Sequence, residues 1–249
     1  MNIHLSKEDS LEKNNVLILL LALVLLLSSD GFAQAETTAS GVRLEDYFSG
    51  RDLSGEWDED EAKEIALTES LTITEAGVYV LSGTIADGTV TIDVASDEKV
   101  QLVLNGVSIT CSNSACIFVK NADKVFITLA EGTENTLTSN GFDENGEIDG
   151  AVFSKDDITL NGEGTLTVTS AKHGIAGKDD VKFGGGAYVI HAGERGITGK
   201  DSVRVFDGSY TIYSGKTPIR SKNKDAGKGY VLILGGFFYL YTDAEDGED

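Results

Sequence analysis

Apolar and polar residues alternate along most of this chain, in short runs that are separated by glycine-rich turns. An alternation with a period of two is typical of β-strands that turn one face towards a core. Glycine is frequent, with 29 residues, whereas the chain has a single proline. The pattern therefore predicts an all-β protein built from short strands. It is clear in residues 78–81, 90–92, 100–104 and 125–129, and it continues to residue 241.

The alternation is organised in a repeat of about 22 residues, and a lysine marks each copy. Lys155, Lys178, Lys200 and Lys222 follow one another at intervals of 23, 22 and 22 residues. A unit of this length holds three short strands, which predicts a parallel β-helix of about seven coils. An antiparallel sandwich does not account for the constant spacing of the lysines. Apolar residues three positions before the lysines should then stack on one another: Val152, Ile175, Ile197 and Ile219.

The first 66 residues lack this repeat. Residues 16–27 form an uninterrupted apolar run, followed by Ala33-Gln34-Ala35, which is typical of a cleaved secretory signal. The run is shorter than the roughly 20 apolar residues that span a bilayer, although an uncleaved anchor is the alternative. We therefore predict a signal peptide at 1–35, an acidic linker with a helical turn that caps the first coil at 36–66, and a β-helix domain, truncated at its C-terminus, at 67–249.

Composition and charge narrow the function. The chain has 41 acidic and 20 basic residues, a net charge of −21, which excludes a nucleic-acid-binding protein because phosphates require cationic contacts. Two cysteines exclude a disulfide-rich scaffold and a thiolate zinc cluster. Cys111 and Cys116 form either a local disulfide after export or a pair of small buried residues. The predicted protein is a secreted monomer with no membrane contact after cleavage.

Several segments resemble a bacterial family of exported carbohydrate-binding β-helix proteins. They are residues 52–56 (DLSGE), 78–84 (VYVLSGT), 99–105 (KVQLVLN) and the blocks Ser-Lys-Asp-Asp and Gly-Lys-Asp-Asp/Ser around the repeated lysines. The resemblance covers residues 45–241. It implies the right-handed parallel β-helix of pectate lyases, bound calcium, and binding of cellulose and pectic polysaccharide. A fold shared with lyases does not by itself imply lyase chemistry.

Aspartates follow the lysines and should stack with them. Asp156, Asp179 and Asp201 stand directly after a lysine, with Asp157 and Asp180 beside them. Carboxylates about 5 Å apart repel each other by about 1 kcal/mol even in water. Calcium, which takes six to eight oxygen ligands and which the resemblance implies, would offset this repulsion. The alternative is that the neighbouring lysines neutralise the aspartates.

Aromatic residues form a second predicted stack. If Tyr188, Tyr210 and Phe238 point inward, the residues three positions later point outward. Exposed flat rings suit the apolar face of a sugar, whereas cations of the later repeats suit an anionic pectic chain. The alternative is that a loop or a partner covers the rings. The predicted carbohydrate-binding residues are His191, Tyr213, Tyr239, Tyr241, Lys178, Lys200 and Arg220.

These features predict an exported, non-catalytic module that binds plant cell-wall polysaccharide, cellulose or pectin or both, with calcium along the aspartates. One alternative is a calcium-dependent pectate lyase with Lys200 or Lys222 as the base. Adjacent carboxylates make such lysines poorer bases, which favours binding over lyase activity. A structural or adhesive solenoid without a sugar ligand is the third hypothesis.

Overall fold

The computed structural model describes residues 43–142 and 146–243, and these residues form an all-β structure of parallel strands. Helix in this part of the chain is limited to a 3-10 turn, Leu44–Asp46, and a one-turn α-helix, α1, Gly50–Leu53. The chain divides into the units Met1–Asp46 and Tyr47–Asp249, and the strands belong to the second. The predicted signal peptide lies outside the described residues. Within them, no helix is both long enough and apolar enough to cross a membrane.

The strands form two sheets. A seven-stranded sheet contains β2 (Leu71–Ile73), β4 (Val90–Asp93), β6 (Ile117–Asn121), β9 (Gly150–Ser154), β12 (His173–Gly177), β15 (Ile197–Gly199) and β18 (Ile219–Ser221). A thirteen-stranded sheet contains β1 (Lys63–Leu67), β3 (Gly77–Ile85), β5 (Lys99–Cys111), β7 (Lys124–Leu129), β8 (Glu134–Ser139), β10 (Asp157–Gly162), β11 (Thr165–Ser170), β13 (Asp180–Phe183), β14 (Ala187–Ala192), β16 (Ser202–Val205), β17 (Ser209–Ser214), β19 (Tyr230–Ile233) and β20 (Phe237–Thr242).

Each strand pairs in parallel with the equivalent strand of the neighbouring repeat. From β6 onward, one strand of the smaller sheet is followed by two of the larger one, so that β9, β10 and β11 make one repeat and β12, β13 and β14 the next. The register joins Val152 to Ile175, and Ile175 to Ile197. Gly177 pairs with Ser154 and with Gly199, which brings the lysines after them into file, as the sequence predicts.

The core lies along the inward positions of these strands. Leucine, isoleucine and valine from successive repeats stack there with no exposed surface. Towards the C-terminal repeats the stack becomes aromatic: the rings of Tyr188 and Tyr210 lie 5.1 Å apart, and those of Tyr210 and Phe238 lie 4.6 Å apart. Phe183 meets both tyrosines edge-on. The predicted inward position of the two tyrosines is confirmed, since each is 1% exposed.

In the described part of residues 36–66, for which the sequence predicts an acidic linker with a helical turn, the structure has the helical turn α1 and also the start of β1. β1 begins at Lys63 and pairs with β3. The N-terminal segment, defined here as residues 47–59, packs on the thirteen-stranded sheet. Its helix α1 begins with a capping box, in which the backbone N–H of Ser49 donates to Asp52 Oδ2 over 2.8 Å. The segment has no periodic pattern because it contacts the sheet through single side chains.

The two cysteines are free thiols in the structure. Cys111 and Cys116 are both buried, and the thiol of Cys116 lies 3.4 Å from the carbonyl oxygen of Ile109. Burial, followed by the proximity of Cys111, raises the pKa of Cys116 to about 12. The sequence left open a local disulfide or a pair of small buried residues. The structure has the second arrangement.

Candidate functional site

A surface of threonines and aromatic rings follows the outward positions of β8, β11, β14, β17 and β20. One row runs, in register, through Thr138, Thr169, His191, Tyr213 and Tyr241. Adjacent residues of a strand point to opposite sides of a sheet, so this row faces away from the core. A second row lies two residues earlier in each strand: Thr136, Thr167, Val189, Thr211 and Tyr239. We call the two rows together the outer face.

The aromatic end of the outer face is exposed. The rings of His191 and Tyr213 stack 4.9 Å apart with an interplanar angle of 5°. Tyr239 and Tyr241 lie 5.9 and 6.0 Å from Tyr213 at steeper angles. Exposure is 37% for Tyr213, 58% for Tyr239 and 52% for Tyr241. The structure therefore brings together the four aromatic residues that the sequence predicts as a binding site.

Sequence reasoning missed the threonines that continue these rows. Their signal is a threonine at alternate positions, in Thr136-Leu-Thr138 and in Thr165-Leu-Thr167-Val-Thr169. Each threonine hydroxyl both donates and accepts hydrogen bonds, and neighbouring strands repeat it about every 4.8 Å. The outer face thus combines a ladder of hydroxyl groups with a group of rings.

The cations predicted for the same site lie elsewhere. Arg220 is in β18, and Lys178 and Lys200 directly follow β12 and β15, all strands of the seven-stranded sheet. The rings of the outer face belong to the thirteen-stranded sheet. Lys178 instead lies 3.9 Å from a carboxylate oxygen of Asp149. The predicted set therefore divides into an aromatic part and a cationic part on different sheets.

Four of the five aspartates of the predicted ladder, all except Asp179, have protein donors or cations as partners. Asp156 Oδ2 accepts from the backbone N–H of Ala122 over 3.0 Å, and Asp157 Oδ1 from that of Asp180 over 3.1 Å. Asp180 is paired with Arg204 at 2.8 Å.

The last carboxylate of the ladder also has a cation of its own. Asp201 contacts Lys228 and Asn223. In the ranges 43–142 and 146–243, no group of three or more His, Cys, Asp or Glu side chains is arranged to hold a metal ion. The neutralising cations named here, Arg204 and Lys228, are not the lysines of the repeat.

Asp179 should make the stability of the protein depend on pH. Burial, the hydrogen bond with Asp201, and the charges of Asp157, Asp201 and Asp180 together raise the pKa of Asp179 to about 6. The fold therefore favours the protonated form. This stabilisation is complete below the ordinary pKa of 3.8 and is lost as the pH rises through about 6.

Asp179→Asn is expected to raise Tm at pH 7.5 by about 2–4 °C, which corresponds to about 1 kcal/mol in a domain of this size. The expected rise in Tm is small because Asp179 is partly exposed and solvent screens its charge. The gain should vanish at pH 4, where Asp179 is protonated. Asp97→Asn, at an exposed position, is the control. A Tm difference between Asp179→Asn and wild type that is the same at both pH values would contradict the assignment.

Lys200 and Lys222, the residues considered as lyase bases, are exposed to solvent. A lysine becomes a general base near neutral pH when burial or a neighbouring cation disfavours its charged form. Exposure to solvent does not provide the burial that this requires. The surroundings of these two residues do not favour the lyase hypothesis.

A buried cluster of charges that the sequence did not predict joins the N-terminal segment to the sheet. Asp52, 1% exposed, contacts the ammonium of Lys124 and accepts from the hydroxyl of Thr159 over 2.6 Å. Lys182 lies 3.9 Å away. Burial alone would raise the pKa of Asp52, but hydrogen bonds from Lys124, Thr159 and the Ser49 backbone lower it to about 2. The segment is thereby fixed over β7, β10 and β13.

Comparisons with known proteins give a family. A family model described as "Carbohydrate-binding domain-containing protein" matches residues 68–248. A relative with the same description from Acetivibrio thermocellus is 41% identical over 120 residues, which are 46% of this chain and 42% of the relative. The chain therefore aligns with less than half of that relative. A solved structure, that of the polysaccharide lyase-like protein from C. thermocellum as a gadolinium derivative, has a TM-score of 0.65 and 33% identity, and the match covers 71% of this chain and 81% of that one.

Proposed function

The chain belongs to the family of carbohydrate-binding domain-containing proteins, and on this premise we propose that it is an exported, non-catalytic module that binds cellulose in the plant cell wall. The observation that carries the proposal is the outer face, on which exposed rings continue rows of threonine hydroxyls. The structural similarity to a polysaccharide lyase-like protein supports a polysaccharide ligand. It does not carry lyase chemistry with it.

We infer that the repeats wind into a right-handed parallel β-helix of about seven coils. The parallel register between equivalent strands and the order of strands along the chain support this winding. A β-helix presents its sheets as long, nearly flat surfaces, because each coil adds one strand directly above the last. Such a surface suits the flat side of a solid polysaccharide better than a single soluble chain.

The rings and the hydroxyl groups of the outer face would make different contacts with the polysaccharide. The faces of Tyr213 and Tyr241 contact the apolar faces of sugar rings, and the tyrosine hydroxyls accept and donate hydrogen bonds at the ring edges. The threonines of the outer face extend the polar contacts over several strands. Each contact is weak, and a solid ligand engages many at once.

The charge distribution favours a neutral glucan over a pectic chain. The net charge of −21 repels a polyuronate, and the cations that would attract one, Lys178, Lys200 and Arg220, lie on the other sheet from the rings. Cellulose carries no charge and needs no cation. Pectin is therefore the second candidate ligand.

Calcium stays a prediction of the sequence. Calcium requires six to eight oxygen ligands. Four of the five aspartates are already paired with Arg204, Lys228 or backbone N–H groups, and Asp179 shares a hydrogen bond with Asp201, so the set does not fit an ion as it stands. The binding proposal needs no metal. A Tm that rises and saturates with added calcium would indicate an ion bound by the native state, and an unchanged Tm would indicate none.

Tyr213→Ala is expected to weaken binding to microcrystalline cellulose about tenfold in a co-sedimentation assay, because it removes the central ring of the exposed group. Tyr213→Phe keeps the ring and should retain most of the binding. Lys200→Ala is the control on the other sheet and should bind like the wild type.

Three results would contradict the proposal. The first is wild-type protein that cellulose does not retain, and the second is Tyr213→Ala protein that binds undiminished. The third is the release of unsaturated product from polygalacturonate with calcium, lost in Lys200→Ala, which would favour the lyase hypothesis instead.

A further inference from the structure

A groove of about 860 Å³ lies between residues 53–59 of the N-terminal segment and the turns that follow β7, β10, β13 and β16. It is separate from the rings of the outer face, since neither Tyr213 nor Tyr241 lines it. The turns come from four successive repeats, so the groove crosses the strands and runs along the direction in which the repeats stack. A groove of this kind can hold an extended chain.

Glycines are the most frequent residue type in the floor that the turns form. Gly162, Gly184, Gly186 and Gly208 come from three of the four turns, and Gly162 has a φ of +93° that favours glycine. A Cβ at Gly184 would lie 2.1 Å from the carbonyl oxygen of Asp52, which shows how closely the N-terminal segment approaches the turns. At Gly162 and Gly184 the absence of a side chain leaves room for this segment, because the backbone of Gly55 and that of Asp52 lie directly against them.

One wall presents Trp57, which is the single tryptophan of the chain. Its neighbours are held in place: Asn161 donates to the carbonyl oxygen of Ser54 over 2.7 Å, and Gln101 donates to that of Glu56 over 3.1 Å. The buried pair of Asp52 and Lys124 fixes the start of the same segment. The backbone that leads to Trp57 is therefore held before any ligand arrives, which lowers the entropy cost of binding.

The charged side chains that line the groove are all acidic. Carboxylates of Glu56, Glu59, Glu131, Glu163 and Asp207 line the groove, and no lysine or arginine of the described residues does so. Carboxylates accept hydrogen bonds from sugar hydroxyls. They repel uronates, sulfates and phosphates.

We infer that this groove is a second carbohydrate-binding site, which takes a single chain of a neutral polysaccharide. The inference goes beyond the outer face, which suits a solid surface, and its chemistry is set by three features together. The indole of Trp57 stacks on a sugar ring, the row of turns from four repeats accommodates an extended chain, and the carboxylates select hydroxyl groups over anions. The family-model match begins at residue 68, so the segment that carries Trp57 lies outside the matched region.

The fluorescence of Trp57 gives a direct test, because no other tryptophan contributes. The full chain is titrated with cellohexaose, xylohexaose and mannohexaose, and with hexagalacturonate as the anionic counterpart. We expect at least one neutral hexasaccharide to shift the emission and to bind about tenfold more tightly than hexagalacturonate by calorimetry. Trp57→Ala should weaken that binding about tenfold, and Trp57→Phe should weaken it less.

Matched variants separate the two sites. In Tyr213→Ala, retention on cellulose should fall while the neutral hexasaccharide still shifts the emission of Trp57, so the two proposals can fail independently. The double variant Glu163→Gln with Asp207→Asn removes two negative charges from the groove. It should reduce the ratio of the affinity for the neutral hexasaccharide to that for hexagalacturonate at least about threefold.

Four results would overturn the inference. They are the absence of an emission change and of heat with all three neutral hexasaccharides, undiminished binding by a folded Trp57→Ala variant, hexagalacturonate binding as tight as that of the neutral chains, and binding of an oligolysine peptide in place of sugars.

Discussion

Asp52→Ala is expected to lower the free energy of unfolding by about 3–5 kcal/mol, the range for removing one partner of a buried ion pair. Asp52 is 1% exposed, and the side chains of Lys124 and Lys182 that face it are 10% and 11% exposed. Without the carboxylate, the two buried ammonium groups would lose the ion pair that each forms with Asp52, and the charge of Asp157 would remain to oppose theirs. The hydroxyl of Thr159 would also lose its acceptor.

Urea denaturation of both proteins measures this change. Asp58→Ala, at an exposed position of the same segment, should stay within about 0.5 kcal/mol of the wild type. Asp52→Asn keeps the shape of the side chain and removes only its charge. If Asp52→Asn unfolds at the same urea concentration as the wild type, the charge of Asp52 does not hold the segment.

The stability difference between wild type and Asp52→Asn should also depend on pH. The pKa of Asp52 is about 2 in the fold, below its ordinary value of 3.8. A depressed pKa contributes stability that is present above the ordinary value and is lost as the pH falls through the folded one. The difference should therefore shrink between pH 4 and pH 2. A constant difference over that interval would contradict the ion pair.

Tyr210→Ala is expected to destabilise the protein by about 3–5 kcal/mol, as large aromatic truncations in a core do. Tyr210 is stacked between Tyr188 and Phe238 and meets the edge of Phe183. Its hydroxyl donates to the carbonyl oxygen of Asp207 over 2.8 Å. Alanine would leave a cavity inside the aromatic stack and remove contacts on three sides.

Two variants bracket this result. Tyr210→Phe loses only the hydroxyl and should cost about 1 kcal/mol. Tyr213→Ala, three residues further along the same strand, removes a ring that points outward and should change the unfolding free energy by less than about 1 kcal/mol. Equal losses for Tyr210→Ala and Tyr213→Ala in thermal and urea unfolding would mean that the two rings do not lie on opposite sides of the sheet.

The aromatic rings of the outer face could be predicted from the sequence. Alternation along a strand is a property of the local backbone, so the inward Tyr210 and the outward Tyr213 follow from their separation of three residues. The 22-residue repeat then places Tyr213 beside His191, and Tyr241 joins the row after 28 residues because the turn before β19 is longer. The same reasoning extends to the threonine rows, whose alternate positions carried the signal although they were not predicted as part of the site.

The ion-pair partners of the charged residues could not be predicted from the sequence. The repeat predicts that Asp179 and Asp201 stack, yet it does not identify Lys228 as the partner of Asp201, since Lys228 lies in a long turn that breaks the repeat. The repeat also led to the prediction that Lys178 and Arg220 share a site with the rings. These cations and the rings are close in sequence, but they belong to different sheets. Side-chain partners across turns depend on the path of the chain between strands.

By itself, the sequence determined the strands, their inward and outward positions, and the stacking of equivalent residues, because these follow from local backbone geometry repeated at a constant interval. The position of the N-terminal segment, and the groove that it borders, depend on contacts between residues far apart in the chain. Asp52 meets Lys124 across 72 residues and Thr159 across 107, and Trp57 faces turns of four different repeats. Such contacts have no period, so they arise only when the whole sheet is in place.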